Sequence, residues 1–449
     1  MSSDQVLGVV LLIRHGDRQG FYQDPDTYTA SSTAITPLGN QQEYQLGQLL
    51  RSIYLNDSSP SYIHGISTGL FDQNQVAVSA DAGGEGGVIV DSANSLVQGL
   101  FPATTSYNTT LANGSTIVGP LNGYQYVPIQ TVEPDKDVSL EGWTDCNTFN
   151  DATLAFYNSS LFQAVQKSAS PFLSQLPPYL DGRSVSLTNM WNIFDFMNVN
   201  YIHNATFAAN LPPTFLAQAR ALANFHEYGV FSSPQLDGIG NVAIQTMLPG
   251  ILAGVQNIAN ASDPTKLVYT AIAYKPFLSL FNVTGVARTY PELAGIVDYA
   301  SAVALEIRQP SGGGAPAVRM NFRNGTEEFV TYNMFGADGD VAVQTFVDAL
   351  APAAINTTAQ WCTACANTVD RGCSAYFSSP SSHQNITPVG AGFLGAGLTG
   401  AVTLIMFGVL MWAGVLAFGG RVRVRRRGGE RRLGSGGGGW GAWRSRRMY

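Results

Sequence analysis

Val6–Ile13 is an unbroken apolar run, the pattern of a strand buried on both faces. A helix opens at Thr36-Pro37-Leu38-Gly39. The threonine can cap it, the proline suits its first turn, and Leu46, Leu49, Leu50 and Ile53 supply an apolar stripe. Val76–Val78 reads as a second strand, Asp81–Gly87 (DAGGEGG) as a loop and Asp91–Leu100 as a second helix. Over residues 103–262 strand alternation is poor and aromatics, Asn, Pro and Ser are frequent. That stretch reads as a mostly helical insert, with a helix over Asn241–Ile258. Strand patterns return at Lys266–Tyr269, Tyr299–Ile307 and Val318–Phe322, with Arg323-Asn324-Gly325 as the hairpin turn before Glu328–Thr331. Strands alternating with helices predict an α/β body, with a mainly parallel sheet, flanking helices and an inserted helical cap.

The pattern changes near the C-terminus. No residue from Val389 to Gly420 is charged, and Leu394–Phe418 exceeds the ~20 apolar residues that span hydrocarbon. RVRVRRR follows directly, which makes that side cytoplasmic. Gly392, Ala396 and Gly400 form a small-residue line on the predicted span, a common feature of Gly-rich spans. The expected organisation is a body over 1–375 that includes the insert, a Ser/Pro/Thr stalk over 376–389, a membrane segment over 390–420 and a basic tail over 421–449. The membrane lipid is thus one expected partner. Residues 1–13 have no basic n-region and no clear cleavage site, so Val6–Ile13 reads as strand rather than leader.

Charge sharpens this division. The 449 residues carry −7 overall, yet the tail from Arg421 holds ten Arg and one acid, or +9, leaving −16 on the rest. An acidic body argues against nucleic-acid binding, and the basic tail suits anionic lipid. Charged residues are only 12% of the chain, a low value that fits secretion or membrane residence. Ten N-x-S/T triplets begin at Asn56, Asn108, Asn113, Asn158, Asn204, Asn260, Asn282, Asn324, Asn356 and Asn385, all before the predicted span. Their one-sided placement predicts a glycosylated body facing the lumen or the cell exterior. Four cysteines, Cys146, Cys362, Cys365 and Cys373, read as two disulfides in such a compartment, and the pairing stays open among three connectivities.

Candidate chemistry sits at Arg14-His15-Gly16-Asp17-Arg18, directly after the first strand. Two guanidiniums flank an imidazole at a strand's C-terminal end, where open α/β sheets bind ligands. Arg forks match phosphate oxygens, and a neutral imidazole can attack phosphorus. Against this stands the plain reading of a solvated polar loop, since RHG alone is common. No HExxH, P-loop, GxSxG or metal constellation is present, and no cofactor is expected. His226-Glu227 falls in a cap-region helix, His64 and His203 in polar contexts and His383 in the stalk. All four read as surface or packing residues.

LLIRHGDR followed by ITPLGNQQEYQLGQLLRSIYL closely resembles the histidine acid phosphatases, the branch of the histidine phosphatase superfamily that includes phytases. DSANSLVQGLFP, KLVYTA, YASAVALEI and VRMNFRNGTE extend the resemblance in family order over about residues 6–375. It implies an α/β domain with a helical cap and monoester hydrolysis through a phospho-histidine. His15 would be the nucleophile, with Arg14 and Arg18 binding phosphate. The chain departs from the family in three places. Gln19-Gly20 follows Arg18, where the family has Pro two residues on. The further phosphate-binding Arg before the SA helix falls on Gly87 or Val88, and the amides of Gly83–Gly87 are a candidate anion nest in its place. The family's His-Asp pair falls on Ile272-Ala273. The expected function is therefore a membrane-tethered pseudophosphatase that keeps an anion pocket for a phosphate-containing small molecule or a protein partner. The alternatives are a slow acid phosphomonoesterase with a substituted proton donor, or a structural glycoprotein. Ile272→His with Ala273→Asp should restore activity only in part.

Overall fold

A computed structural model describes residues 4–83, 85–132 and 137–377. The stalk, membrane segment and tail, with Asn385 and His383, lie outside the described residues. Residues 1–378 form one compact unit.

The predicted first strand is β1, Gln5–Arg14, and it lies in the middle of the sheet. The other strands are β2 (Val76–Asp81), β3 (Asn108–Thr110), β4 (Thr116–Val118), β5 (Gln130–Val132), β6 (Leu267–Ile272), β7 (Ala302–Gln309), β8 (Ala317–Arg323), β9 (Val330–Tyr332) and β10 (Val341–Ala342). The main sheet runs β10-β8-β7-β1-β6-β2-β5, with β9 on β8, and β3-β4 is a separate hairpin. β1, β6, β2 and β5 pair in parallel, whereas β7 runs antiparallel to β1 and β8 to β7. The sheet is thus mixed rather than mainly parallel. Apolar runs report burial on both faces but not strand direction, which explains the difference.

Helix α1, Pro37–Tyr54, starts where expected, with the Thr36 side chain accepting from Gly39 N. Its buried stripe is Glu43, Leu46, Gly47, Leu50 and Tyr54, while Leu49 and Ile53 are half-buried. Helix α2, Val88–Leu100, begins three residues before the predicted Asp91 because Val88 and Ile89 pack into the core on that face of the sheet. Gly47 and Gly99 let the two helices touch: a Cβ on Gly47 would meet Leu96 O at 2.1 Å, and one on Gly99 would meet Tyr44 O at 2.1 Å.

Three further boundaries differ. The Asn241–Ile258 helix breaks at Thr246-Met247 into Val242–Gln245 and Leu248–Ala259. Pro249 has no N–H to give to Gln245 and its ring crowds that carbonyl. β7 starts at Ala302 rather than Tyr299, because Ala300 takes φ +56° and donates its N–H to His15 O. The β8–β9 turn is longer than Arg323-Asn324-Gly325, since Phe322 pairs with Val330. The Asn324 carboxamide and Gly325 N–H are drawn aside onto Ser301 Oγ. The insert is helical from Asn147 onward, but residues 103–132 hold the β3-β4 hairpin and the edge strand β5.

Two disulfides form, Cys146–Cys365 and Cys362–Cys373, as the cysteine pattern predicted. The first fastens the C-terminal segment to residues 137–148, where Trp361 Nε1 donates to Gly142 O and Asn367 Nδ2 to Asp145 O, and the second closes a loop within that segment. Among the described sequons, Asn282 and Asn324 are half-buried with committed carboxamides: Asn282 Nδ2 donates to Ser233 O and Asn241 Oδ1, and Asn324 Oδ1 accepts from Asp298 N. These two are structural amides in the folded chain. The other seven described sequon asparagines, Asn56, Asn108, Asn113, Asn158, Asn204, Asn260 and Asn356, are exposed. No single helix among the described residues is long and apolar enough to cross a membrane.

Candidate active site

β1 ends by delivering Arg14 and His15 to the C-terminal edge of the parallel half of the sheet. Arg14 pairs in register with Ile272, and His15 N donates to Ile272 O at 3.1 Å. The next residue must be small: a Cβ on Gly16 would meet Gly39 O at 2.5 Å. Gly16 N donates to Ser92 Oγ and Asp17 N to Gln42 Oε1, so both flanking helices hold this turn.

His15 is 1% exposed, and its Nδ1 lies 2.8 Å from Gly16 O. A carbonyl only accepts, so Nδ1 carries the proton and Nε2 keeps a lone pair when the ring is neutral. Burial holds the imidazole below its usual pKa, against the pull of Glu85 and with the aid of Arg14 and Arg18. The ring is therefore set as a neutral nucleophile.

The two arginines differ in their partners. Arg18 is fully buried and grips Asp195 with both terminal nitrogens, at 2.9 and 3.2 Å. Burial opposes its charge, but Asp195, Tyr299 and Glu85 outweigh that and raise its pKa. Arg14 donates Nη1 to Val297 O and lies 4.4 Å from the Tyr299 ring centroid. Burial lowers its pKa, with Tyr299 opposing. Asp17 takes no place in the pocket: Thr36 Oγ1 and His203 Nε2 hold its Oδ2.

Two residues that sequence reasoning passed over complete the site. Glu85, on the glycine-rich loop, is 2% exposed and sets Oε2 3.3 Å from His15 Nε2 and 4.0 Å from Arg18 Nε. Its Oε1 lies 3.2 Å from Lys275 Nζ. Lys275 is 1% exposed, and its ammonium stands 4.9 Å from the Trp143 ring centroid. Burial raises the Glu85 carboxyl, but the Lys275 ammonium foremost, and Arg18, hold the group ionised, below the usual carboxylate range. Next to them, burial and then Glu141 push the Asp81 carboxyl well above its usual range. The signal for both newcomers was compositional. Lys275 is the one charge in TAIAYKPFLSLF, and Glu85 is the one charge between Asp81 and Asp91.

Ile272 and Ala273 are fully buried beside His15, and Val88 is fully buried at the start of α2. Of the candidate nest amides, Gly83 N–H is spent on Asp81 Oδ1 and Gly86 N–H on Gly83 O. Elsewhere, His226 bridges Glu227 and Tyr157 in a buried network that also takes Tyr28 and Tyr274, while His64 is exposed. Among the described residues no group of three or more His, Cys, Asp or Glu is placed to hold a metal.

Comparison with known proteins gives the family and the fold. The family model for the histidine phosphatase superfamily (branch 2) matches residues 19–323. Bovine prostatic acid phosphatase is 25% identical over 77% of this chain and 84% of its own length. Human testicular acid phosphatase is 23% identical over 70% of this chain and 72% of its own. Among solved structures, the phytase from Citrobacter braakii superposes with a TM-score of 0.55 at 12% identity, covering 80% of this chain and 99% of the phytase. Hafnia alvei phytase in complex with myo-inositol hexakis sulphate gives 0.55 at 13% identity, over 80% and 99%. These structural likenesses speak for the fold.

Proposed function

Because the chain belongs to branch 2 of the histidine phosphatase superfamily, we propose that it is a pseudophosphatase, retaining an anion pocket at Arg14, His15 and Arg18 without efficient turnover. The observation that carries this reading is the Glu85 carboxylate, 3.3 Å from the attacking nitrogen of His15. A reacting phosphorus approaches its nucleophile to about 3–3.5 Å, so a carboxylate oxygen at 3.3 Å from Nε2 crowds the approach that a substrate's phosphorus would make. Ile272 and Ala273 meanwhile offer neither a proton donor nor a phosphate ligand.

A second reading, a slow phosphomonoesterase acting through phospho-His15, is favoured by the neutral His15 ring with its free Nε2 lone pair. It needs a donor to the leaving oxygen. That oxygen lies beyond phosphorus, so its donor belongs roughly 6 Å or more from Nε2. Glu85 is far too close for the part in this arrangement. Hydrolysis of p-nitrophenyl phosphate by the purified body, from pH 3 to 8, is expected to stay near background and to be the same in His15→Ala. Robust turnover lost in His15→Ala would overturn the pseudophosphatase reading in favour of the second.

The body is proposed to face the lumen or cell exterior, anchored by the 390–420 segment with the arginine-rich tail in the cytosol. Two disulfides and seven exposed sequons support this placement. Glycosidase is expected to increase the mobility of the expressed protein, and protease on the cytosolic side of sealed vesicles to remove only the tail. A body that carries no glycan and is digested from the cytosolic side refutes the orientation.

A further inference from the structure

The pocket holds more cation than its anion balances. Arg18 and Lys275 contact the carboxylates of Asp195 and Glu85, and Arg14, bonded to Val297 O, adds a third buried cation beside them. Asp195 is committed to Arg18 through two hydrogen bonds. Glu85 is held differently. Only Oε1 has a hydrogen bond, from Lys275 Nζ, while Oε2 lies near His15 and Arg18 without an aligned donor. Arg14 Nε, Arg18 Nε and His15 Nε2 are likewise buried without a hydrogen-bond partner. Buried donors left open in this way are costly, and a ligand that supplies oxygens to them gains accordingly.

We infer that Lys275 is the third cation of an oxyanion site, standing in for the arginine absent at Val88, and that Glu85 is the site's resident occupant, displaced when an external oxyanion enters. This rests on the anion-pocket reading given above. Three observations support the exchange. A carboxylate has two oxygens in one plane, whereas a tetrahedral oxyanion has four to offer the His15, Arg18 and Lys275 groups that now surround Glu85. Without Glu85 the charges gathered here are three cations and Asp195, an excess that matches a phosphate or sulfate dianion. The Glu85 backbone is pinned, its carbonyl accepting from Thr33 N and its neighbour Gly86 N bonded to Gly83 O. Only its side chain has to turn, so displacement leaves the pocket walls in place. Lys275 stays on the face of Trp143 throughout, and that ring fixes the ammonium's position.

The test uses inorganic phosphate and sulfate as probes of the purified body, titrated calorimetrically and by the rise in melting temperature. Glu85→Gln keeps the side chain's size, removes its charge and with it the ion pairs to Lys275 and Arg18 that hold the side chain in the pocket. It is expected to bind phosphate at least tenfold more tightly than wild type. Glu85→Gln combined with Lys275→Gln should lose most of that gain. Equal affinity in wild type and Glu85→Gln would show that Glu85 is no competitor. A gain retained in full by the double variant would remove Lys275 from the site. Absence of binding in wild type and in a cooperatively folded Glu85→Gln variant would remove the anion pocket itself, and with it the reading on which this inference rests. If Glu85→Gln does not fold, sulfate-soaked wild-type crystals decide. Sulfate within hydrogen-bond distance of Lys275 Nζ, with Glu85 turned away, upholds the exchange. Sulfate bound elsewhere, bound beside an unmoved Glu85, or not bound refutes it.

Discussion

Replacing Cys146 and Cys365 together by serine is expected to lower the stability of the body by about 2–5 kcal/mol, the largest single loss among its covalent ties. The two residues are 219 positions apart, against 11 for Cys362–Cys373. Loop-closure entropy makes the long tie worth about 5 kcal/mol and the short one about 3 kcal/mol. The long tie joins segments that also meet through Trp361 and Asn367 on the backbone of Gly142 and Asp145, and through Arg371 on the carbonyls of Glu141 and Thr144, whereas the short tie closes a loop within the C-terminal one. Residues 137–148 also carry Trp143, whose ring backs Lys275, so the long crosslink reaches the site through one side chain. Urea unfolding of Cys146→Ser/Cys365→Ser and of Cys362→Ser/Cys373→Ser, each against wild type, reads the difference. A long-loop loss no greater than the short-loop loss would contradict the entropic account.

The sequence made some of this legible and hid the rest for identifiable reasons. A strand buried on both faces leaves an apolar run, so β1 could be placed with the histidine at its end. The Thr36 cap and Pro37 announced α1 because capping is local chemistry. Strand direction is not local: nothing in residues 302–309 distinguishes antiparallel from parallel pairing with β1, and the mixed sheet went unread. The helix expected over Asn241–Ile258 carried its own breaker in Pro249, outvoted by a long apolar stretch on both sides. At the site, Arg14, His15 and Arg18 lie within five residues and could be recognised together. Ile272 and Ala273 were singled out by the KLVYTA resemblance, and the parallel pairing of β6 with β1 sets Ile272 opposite Arg14. Glu85 and Lys275 mean little singly. Their meaning comes from three chain segments, 70 and then 190 residues apart, meeting within 4 Å. An empty position is visible in a sequence once a motif is aligned, but an occupied one shows only when the fold closes.

That distinction decides what repair should achieve. Ile272→His with Ala273→Asp returns the family's proton donor and phosphate ligand to the end of β6. Alone, the pair is expected to leave p-nitrophenyl phosphate hydrolysis within about tenfold of background, because Glu85 Oε2 still stands 3.3 Å from His15 Nε2. Glu85→Gln alone clears the charge but supplies no donor, and should also stay near background. The triple variant removes both obstacles. Its turnover is expected to exceed the sum of the two parts by on the order of 10²-fold, the lower end of what a positioned general acid contributes. It should remain below that of an intact site, since Lys275 replaces the Val88-position arginine with a point charge and not a fork. Ile272 and Ala273 are fully buried, so both replacements bury polar groups and Asp also adds volume at Ala273, each at roughly 1–3 kcal/mol, and all four proteins need matching cooperative unfolding curves before their rates are compared. Adding His15→Ala to the triple variant must abolish the gain. If the His-Asp pair alone reached the triple variant's rate, Glu85 would be no barrier to attack. The deficit would then lie wholly in the missing groups.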